Sequence, residues 1–286
     1  MKKIAGLLLG TCLLLGGAVL AAAQETTPPP KVLAIFREFV KPGKSGALHE
    51  KSESAFVQAM TRAKWPTHYF AVSSITGKPR VLFLTGYDSF EAWEKDIQAE
   101  QKNTTLSAAV ERASVADGEL LSDTDGTALV YSDEYSLSSA VDIAHMRYFE
   151  ISLYRVRPGH DADWDAIVKM VKAAYDKMPD VHWATYHARF GQEGNTYVVF
   201  TPMKSAAEID RGFAQDKQFM ANMGEDGMKK FSELLAGAIE FSQHNLFTFT
   251  PAMSYPPDEW IKADPEFWKP KSSAAAPKKM KEMPAQ

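Results

Sequence analysis

The chain has 286 residues, 45% of them apolar, with 32 Lys and Arg against 36 Asp and Glu for a net charge of −4. That composition supports a packed core and excludes a disordered chain, and the lack of a basic surplus argues against a general nucleic-acid binder. A single cysteine, Cys12, excludes an internal disulfide framework and any cysteine-rich zinc or iron–sulfur site.

Lys2 and Lys3 precede an apolar run over residues 4–20 that ends in Ala21-Ala22-Ala23, the small residues a signal peptidase requires. Residues 1–23 therefore read as a signal peptide. The protein is expected to be exported, periplasmic or secreted, with no stable membrane span after cleavage. The run is long enough for an anchor, but the polar, Pro-rich spacer at 24–31 favours cleavage. A lipid on Cys12 is disfavoured by the preceding Thr11 and the long apolar stretch behind it.

The body, 32–255, contains an internal repeat at an offset of 116 residues, with Ile35, Val40, Thr85 and Ser89 recurring as Ile151, Val156, Thr201 and Ser205. Each copy opens with a β-branched and aromatic strand, 32–40 and 148–156, stopped by Pro42-Gly43 and Pro158-Gly159. A helix follows. Trp164, Ile167, Val168, Val171, Ala174 and Tyr175 line one face of it in the second copy, at three- and four-residue spacing. Two further strands come next, 67–73 and 81–85 in the first copy, 183–190 and 197–201 in the second. A second helical stretch opens at Ser89 and at Ser205, where Ser205-x-x-Glu208 fits a capping box. Closing strands are predicted at 128–131 and 246–250, with Asp123-Thr124-Asp125-Gly126 as the turn into the first of them.

Two βαββαβ units of this order define two ferredoxin-like repeats, 32–135 and 147–255, joined by a linker at 136–146. Each sheet has one face covered by helices and one bare, and the second copy is the nearest partner for the bare face. The predicted fold is α+β, a pseudo-dimeric α+β barrel, as a monomer or as a homodimer paired through edge strands. The remainder, 256–286, holds Trp260 and Trp268 and then a tail of Pro, Lys, Ala and Ser, and is expected to be largely disordered.

The stretch from Tyr148 to Gly159, with Glu150, Tyr154 and Pro158-Gly159, resembles the first strand of NIPSNAP-type domains. These belong to the wider dimeric α+β barrel group, which includes monooxygenases that act without a cofactor and others that degrade haem. The first copy departs from the pattern, with Ala34 and Glu38 in place of Glu150 and Tyr154. The resemblance implies the fold and no settled reaction.

Strand alternation separates Phe149, Ile151 and Leu153 from Tyr148, Glu150, Ser152 and Tyr154. The apolar set is expected under the helices and the polar set inside the barrel. Trp183 and Thr185 share a strand face with His187 and Arg189, so Glu150, Tyr154, Trp183, His187 and Arg189 could line one cavity, with Glu38 as a further inward candidate. The competing reading pairs Glu150 with Arg189, Glu38 with an arginine, and makes His187 a core histidine. No metal site is predicted: the seven histidines contain no His-x-x-x-His or His-Glu-x-x-His. No cofactor is indicated either; a haem would need His68 or His187 as its axial ligand. Nucleotide-binding glycine motifs and the serine-hydrolase elbow are lacking. The function expected is a small-ligand-binding or structural module, the alternative a cofactor-independent monooxygenase-like or isomerase-like enzyme acting on a small molecule, aromatic or not, in the barrel cavity.

Overall fold

The structure, a computed structural model, describes residues 26–176 and 178–269; the expected signal peptide and the end of the Lys- and Ala-rich tail lie outside the described residues. The first repeat runs β1 (Val32–Val40), α1 (Ala47–Ala63), β2 (Tyr69–Ser74), β3 (Arg80–Tyr87), α2 (Phe90–Lys102), α3 (Thr104–Gly118) and β4 (Leu121–Leu137). The second runs β5 (Tyr148–Val156), α4 (Asp161–Tyr175), β6 (Trp183–Phe190), β7 (Asn195–Met203), α5 (Ala207–Ala238) and β8 (Ile239–Phe249). β1 and β5 stand 116 residues apart at both ends, as the repeat requires. The glycines that follow them, Gly43 and Gly159, take φ values of 78° and 86°, a left-handed turn conformation that glycine reaches without a Cβ clash.

Local signals explain the helix starts in part. The Ser89 hydroxyl accepts the Ala92 N–H at 3.1 Å and caps α2. At α5 the capping box is displaced by one residue: no side chain caps the helix, and the Glu208 carboxylate accepts the Lys204 N–H at 2.9 Å. Gly224, at φ 71° and ψ 166°, breaks α5 internally.

The eight strands close into one barrel in the order β1-β3-β2-β8-β5-β7-β6-β4. Each repeat contributes an antiparallel sheet, and two seams join them. β2 pairs with β8 from Val72↔Phe249 to Ser74↔Phe247, and β4 pairs with β6 through Val130↔His187 and its neighbours. Each of the eight barrel strands among the described residues thus has two neighbours within the one chain. At the β4–β6 seam a Cβ on Gly191, whose φ is 79°, would lie 2.0 Å from the Gly126 carbonyl oxygen, so the strands meet there only because glycine stands at 191.

The barrel interior is a solid apolar core of residues from both repeats, including Leu33, Ile35, Leu84, Phe149, Ile151 and Phe247. Burying each such side chain contributes about 1.5–3 kcal/mol. This reverses the predicted faces of β5. Phe149 and Ile151 point into the barrel, and Glu150, Ser152 and Tyr154 lie on the outer face, beneath α4 and α5. The physical reason is closure: both bare sheet faces share one interior, and in β5 the apolar Phe149 and Ile151 go there.

Two boundaries also differ from expectation. β4 begins at Leu121, so Asp123 to Gly126 is strand and not turn; Asp125 faces Arg37 across the β1–β4 ladder and takes its guanidinium in a two-pronged ion pair. Residues 258–268 form two short helices, α6 (Asp258–Ala263) and α7 (Pro265–Trp268), where disorder was expected. Trp260, Phe267 and Trp268 close one mouth of the barrel against Phe70 and Phe249. The Trp268 indole N–H donates to the Ala144 carbonyl at 2.9 Å, and Arg147 pairs with Asp264 while its guanidinium covers Phe267 at 3.8 Å. The other mouth keeps a cavity of only about 60 Å³, lined by Arg37, Arg80, Gln243 and Asn245 among others.

Candidate functional site

The outer face of the second sheet and the helices over it enclose a cavity of about 1100 Å³. Its floor carries Glu150, Ser152 and Tyr154 of β5, Trp183 and Thr185 of β6, and His244 of β8. Its walls are mixed: Ile167, Val168 and Val171 from α4 and Phe231 and Leu235 from α5 are apolar, while Glu208, Arg211 and Asp216 of α5 bring charge. The amphipathic spacing of α4 puts Trp164 against the sheet, stacked on Tyr197 at 4.9 Å and tilted on Tyr154 at 5.5 Å. Phe213 and Phe241 add exposed aromatic surface to the lining.

One corner of the cavity is polar. The Ser152 hydroxyl lies 2.8 Å from His244 Nδ1 and 3.0 Å from Glu150 Oε1, and Glu150 Oε1 is 3.7 Å from the same His244 nitrogen. Serine and carboxylate therefore approach one nitrogen of the imidazole, whereas a serine–histidine–acid relay needs them on opposite nitrogens. The arrangement suits holding a hydroxyl, carbonyl or amine of a bound molecule. It can also exchange a proton at the imidazole. Both Glu150 and His244 are about half exposed on the cavity side, with side-chain values of 48% and 51%. The Tyr154 phenol is pushed up to about 12, by burial first and then by the Glu150 charge, so it stays a donor at neutral pH.

Of the residues singled out from sequence, Glu150, Tyr154 and Trp183 line this cavity, which lies outside the barrel and not within it. His187 and Arg189 do not line it. His187 stacks on Tyr197 at 4.6 Å, and burial, followed by the Arg189 charge, holds its imidazole below the ordinary value. Arg189 is exposed, and the partners of Glu150 are Ser152 and His244 in place of the expected arginine. Ser152 and His244 are the cavity groups that sequence reasoning left out of the site. Ser152 had a signal, two residues from Glu150 on the same face; His244 fell in a stretch not read as strand.

Haem does not find the ligands named for it. His68 stacks on Tyr255 in the first repeat, and His187 lies outside the cavity lining. Among the described residues, the imidazoles in that lining are His182, whose Nε2 is 2.7 Å from the Pro202 carbonyl oxygen, and His244, engaged by Ser152.

Glu38 occupies a different place. It lies on the outer face of the first sheet, beneath α1 and α3, and its partner is not an arginine. His49 Nε2 is 2.9 Å from Glu38 Oε2, 3.6 Å from Asp117 Oδ1 and 3.9 Å from Glu53 Oε1. All four residues are buried, at 5% exposure or less. Burial raises the Glu53 carboxyl to about 9, reinforced by the charges of Glu38 and Asp117, and raises Glu38 as well. For His49 burial acts downward, but the nearby carboxylates of Asp117 and Glu38 outweigh it and bring the imidazole to about 10. These four are the described residues grouped so that they could hold a metal ion. The sequence search for histidine pairs passed over them, although His49 and Glu53, four apart on α1, share one helix face.

No family model matches the chain, and no curated protein matches it. Solved structures do resemble it in the arrangement of the chain. An anthrone oxidase-like protein is 15% identical, covering 79% of this chain and 94% of its own, with a TM-score of 0.48. A candidate monooxygenase from Fusobacterium nucleatum is 11% identical over 77% of this chain and 93% of its own, TM-score 0.47. Chlorite dismutase from Candidatus Nitrospira defluvii, in complex with imidazole, is 8% identical over 82% and 95%, TM-score 0.43.

Proposed function

We propose that the protein binds a small, mainly apolar molecule between the second sheet and helices α4 and α5, holding one polar group of it at Ser152, Glu150 and His244. The observation that carries this reading is the cavity itself. At about 1100 Å³, with aromatic and aliphatic side chains beside the Ser152, Glu150 and His244 group and further charged residues such as Glu208, Arg211 and Asp216, it is sized and lined like a site for a small organic ligand that carries polar groups. The barrel interior offers no such room.

A second reading, proton-transfer catalysis without a cofactor, is favoured by one feature: a carboxylate, a hydroxyl and an imidazole converge on the space a ligand would fill. The NIPSNAP-type assignment rests on the Tyr148 to Gly159 segment, and export rests on residues 1–23. N-terminal sequencing of the protein recovered from a secretion-competent host tests the latter, with Gln24 as the expected first residue.

Native mass spectrometry of the purified protein tests the binding reading, followed by titration with 2-naphthol read through tryptophan fluorescence. A retained small molecule or saturable naphthol binding is expected. Glu150→Gln, which keeps an acceptor oxygen but removes the charge, is expected to weaken naphthol binding about 5- to 10-fold, close to the worth of one ordinary hydrogen bond of about 1 kcal/mol. Because Glu150 is half exposed, its effect on stability stays within about 0.5 kcal/mol. Neither retained mass nor saturable binding, from a protein that melts cooperatively, would overturn the reading.

A further inference from the structure

We propose that Glu38, His49, Glu53 and Asp117 form a binding site for one divalent first-row transition-metal ion, of the Mn2+ or Zn2+ class, that ties β1, α1 and α3 together. The site is separate from the cavity of the second repeat and does not depend on what that cavity binds.

Three observations converge on it. First, the donor atoms of the four side chains lie within 4.8 Å of one another, and three carboxylate oxygens stand 2.9–3.9 Å from His49 Nε2. Nitrogen and oxygen ligands held about 2.1 Å from a common ion stand roughly 3–3.5 Å apart, so these side chains need only small adjustments to share one.

Second, the cluster is not satisfied by its own hydrogen bonds. Glu53 Oε1 and both carboxylate oxygens of Asp117 are buried without a hydrogen-bond partner among the described residues. The Glu53 and Asp117 residues are only 3% and 1% exposed. A single imidazole cannot serve three carboxylates: its Nε2 proton is within bonding distance of Glu38 alone. Carboxyl oxygens left unpaired in the interior are costly, and without a cation the cluster answers in part by holding Glu53 protonated. A cation placed among them satisfies all of them together, displacing the Nε2 proton of His49 and the proton of Glu53 to solvent as it binds. The Tyr69 hydroxyl is also buried and without a partner, and it lies near enough to feel the charges of Glu53 and Glu38.

Third, the donor set narrows the metal. Carboxylate oxygens alone would suit Mg2+ or Ca2+, but an imidazole nitrogen among them shifts preference to first-row transition ions. All four ligands come from the protein and neither cavity reaches them, so the site is closed in the manner of a structural centre.

The test uses the full chain purified without metal-affinity chromatography. Elemental analysis is expected to find about one equivalent of a transition metal per chain. After chelation and dialysis, added Mn2+ or Zn2+ should raise the melting midpoint by about 5 °C or more, with Mg2+ far less effective. Asp117→Asn and Glu53→Gln, which keep side-chain volume, should lose the bound equivalent and the metal-dependent shift, while Glu150→Gln keeps both. Should the cluster variants fail to fold, pulsed EPR of Mn2+ bound to the unmutated protein decides, because a coordinated imidazole couples its nitrogen to the metal. Absence of retained metal together with no shift on addition overturns the proposal. So does bound Mn2+ without nitrogen coupling, or metal binding that survives Asp117→Asn in a folded variant.

Discussion

The two repeats occupy equivalent halves of one barrel, yet they fill the space between sheet and helices in opposite ways. Glu38 and Tyr154 stand at the same position of the repeat, each on the outer face of its opening strand, paired across the ladder with Val81 and Tyr197 respectively. In the first repeat that position meets His49, from the first turn of α1, and the layer closes over a knot of charge. In the second it meets Trp164, from the first turn of α4, and the layer becomes an aromatic stack beside open space. The two histidines beneath the helices follow suit: His49 is held protonated by carboxylates, and His187 is pushed toward neutrality by burial and an arginine. The lesson is that closure gives both repeats one shared apolar core, with polar groups such as Arg37 and Asn245 kept to one mouth, and leaves each outer layer free to be polar, packed or hollow.

This contrast can be broken at its strongest point by His49→Ala. Removing the one positive group from among three buried carboxylates is expected to cost about 3–5 kcal/mol in urea unfolding, whereas Tyr154→Phe at the equivalent end of the second repeat costs about 1 kcal/mol or less. Equal losses would mean that the charged knot is not what holds the first layer together. Trp164→Ala comes next. It removes a large side chain that is 4% exposed, with an expected loss near 3 kcal/mol and an enlarged cavity, read by unfolding and by naphthol titration. A loss under about 1 kcal/mol would show that the second layer is already too open for the stack to matter. The smallest effect is the sharpest probe of environment. Arg189→Ala removes a like charge near His187, so the imidazole resonances of His187 should titrate at higher pH in NMR spectra, with unfolding unchanged. A downward or absent shift would show that Arg189 does not set the state of that imidazole.

Much of the architecture is legible in the sequence because the repeat carries it: strands ended by Pro-Gly, a helix of regular apolar spacing, then two strands and a helix. What strand alternation cannot say is which of two faces is inside. For β5 the answer depends on residues of the other repeat, more than a hundred positions away, whose bare sheet face completes the same core. The start of β8 is hidden for a related reason. Glu240, Ser242 and His244 alternate with Phe241 and Gln243 at the edge of the cavity, so neither face is uniformly apolar. At the candidate site the sequence singles out Glu150, Tyr154 and Trp183, but not the imidazole of His244 that lies beside the first two. Of the buried cluster it shows Glu38 as an anomaly in an apolar strand. Asp117 arrives from the far end of α3, at a separation no local pattern encodes. The C-terminal tryptophans look isolated in the chain because their partners, Phe70 and Phe249, belong to both repeats.

The two seams have a consequence for how such a molecule can change. Were each repeat a separate chain closing on an identical copy, every substitution would appear twice, and a cavity useful on one side would have to be opened on both. Here a single covalent thread supplies both sheets, so closure does not depend on protein concentration, and symmetry no longer binds the two sides. One side is free to specialise in rigidity and the other in accommodation: a division of labour within one polypeptide.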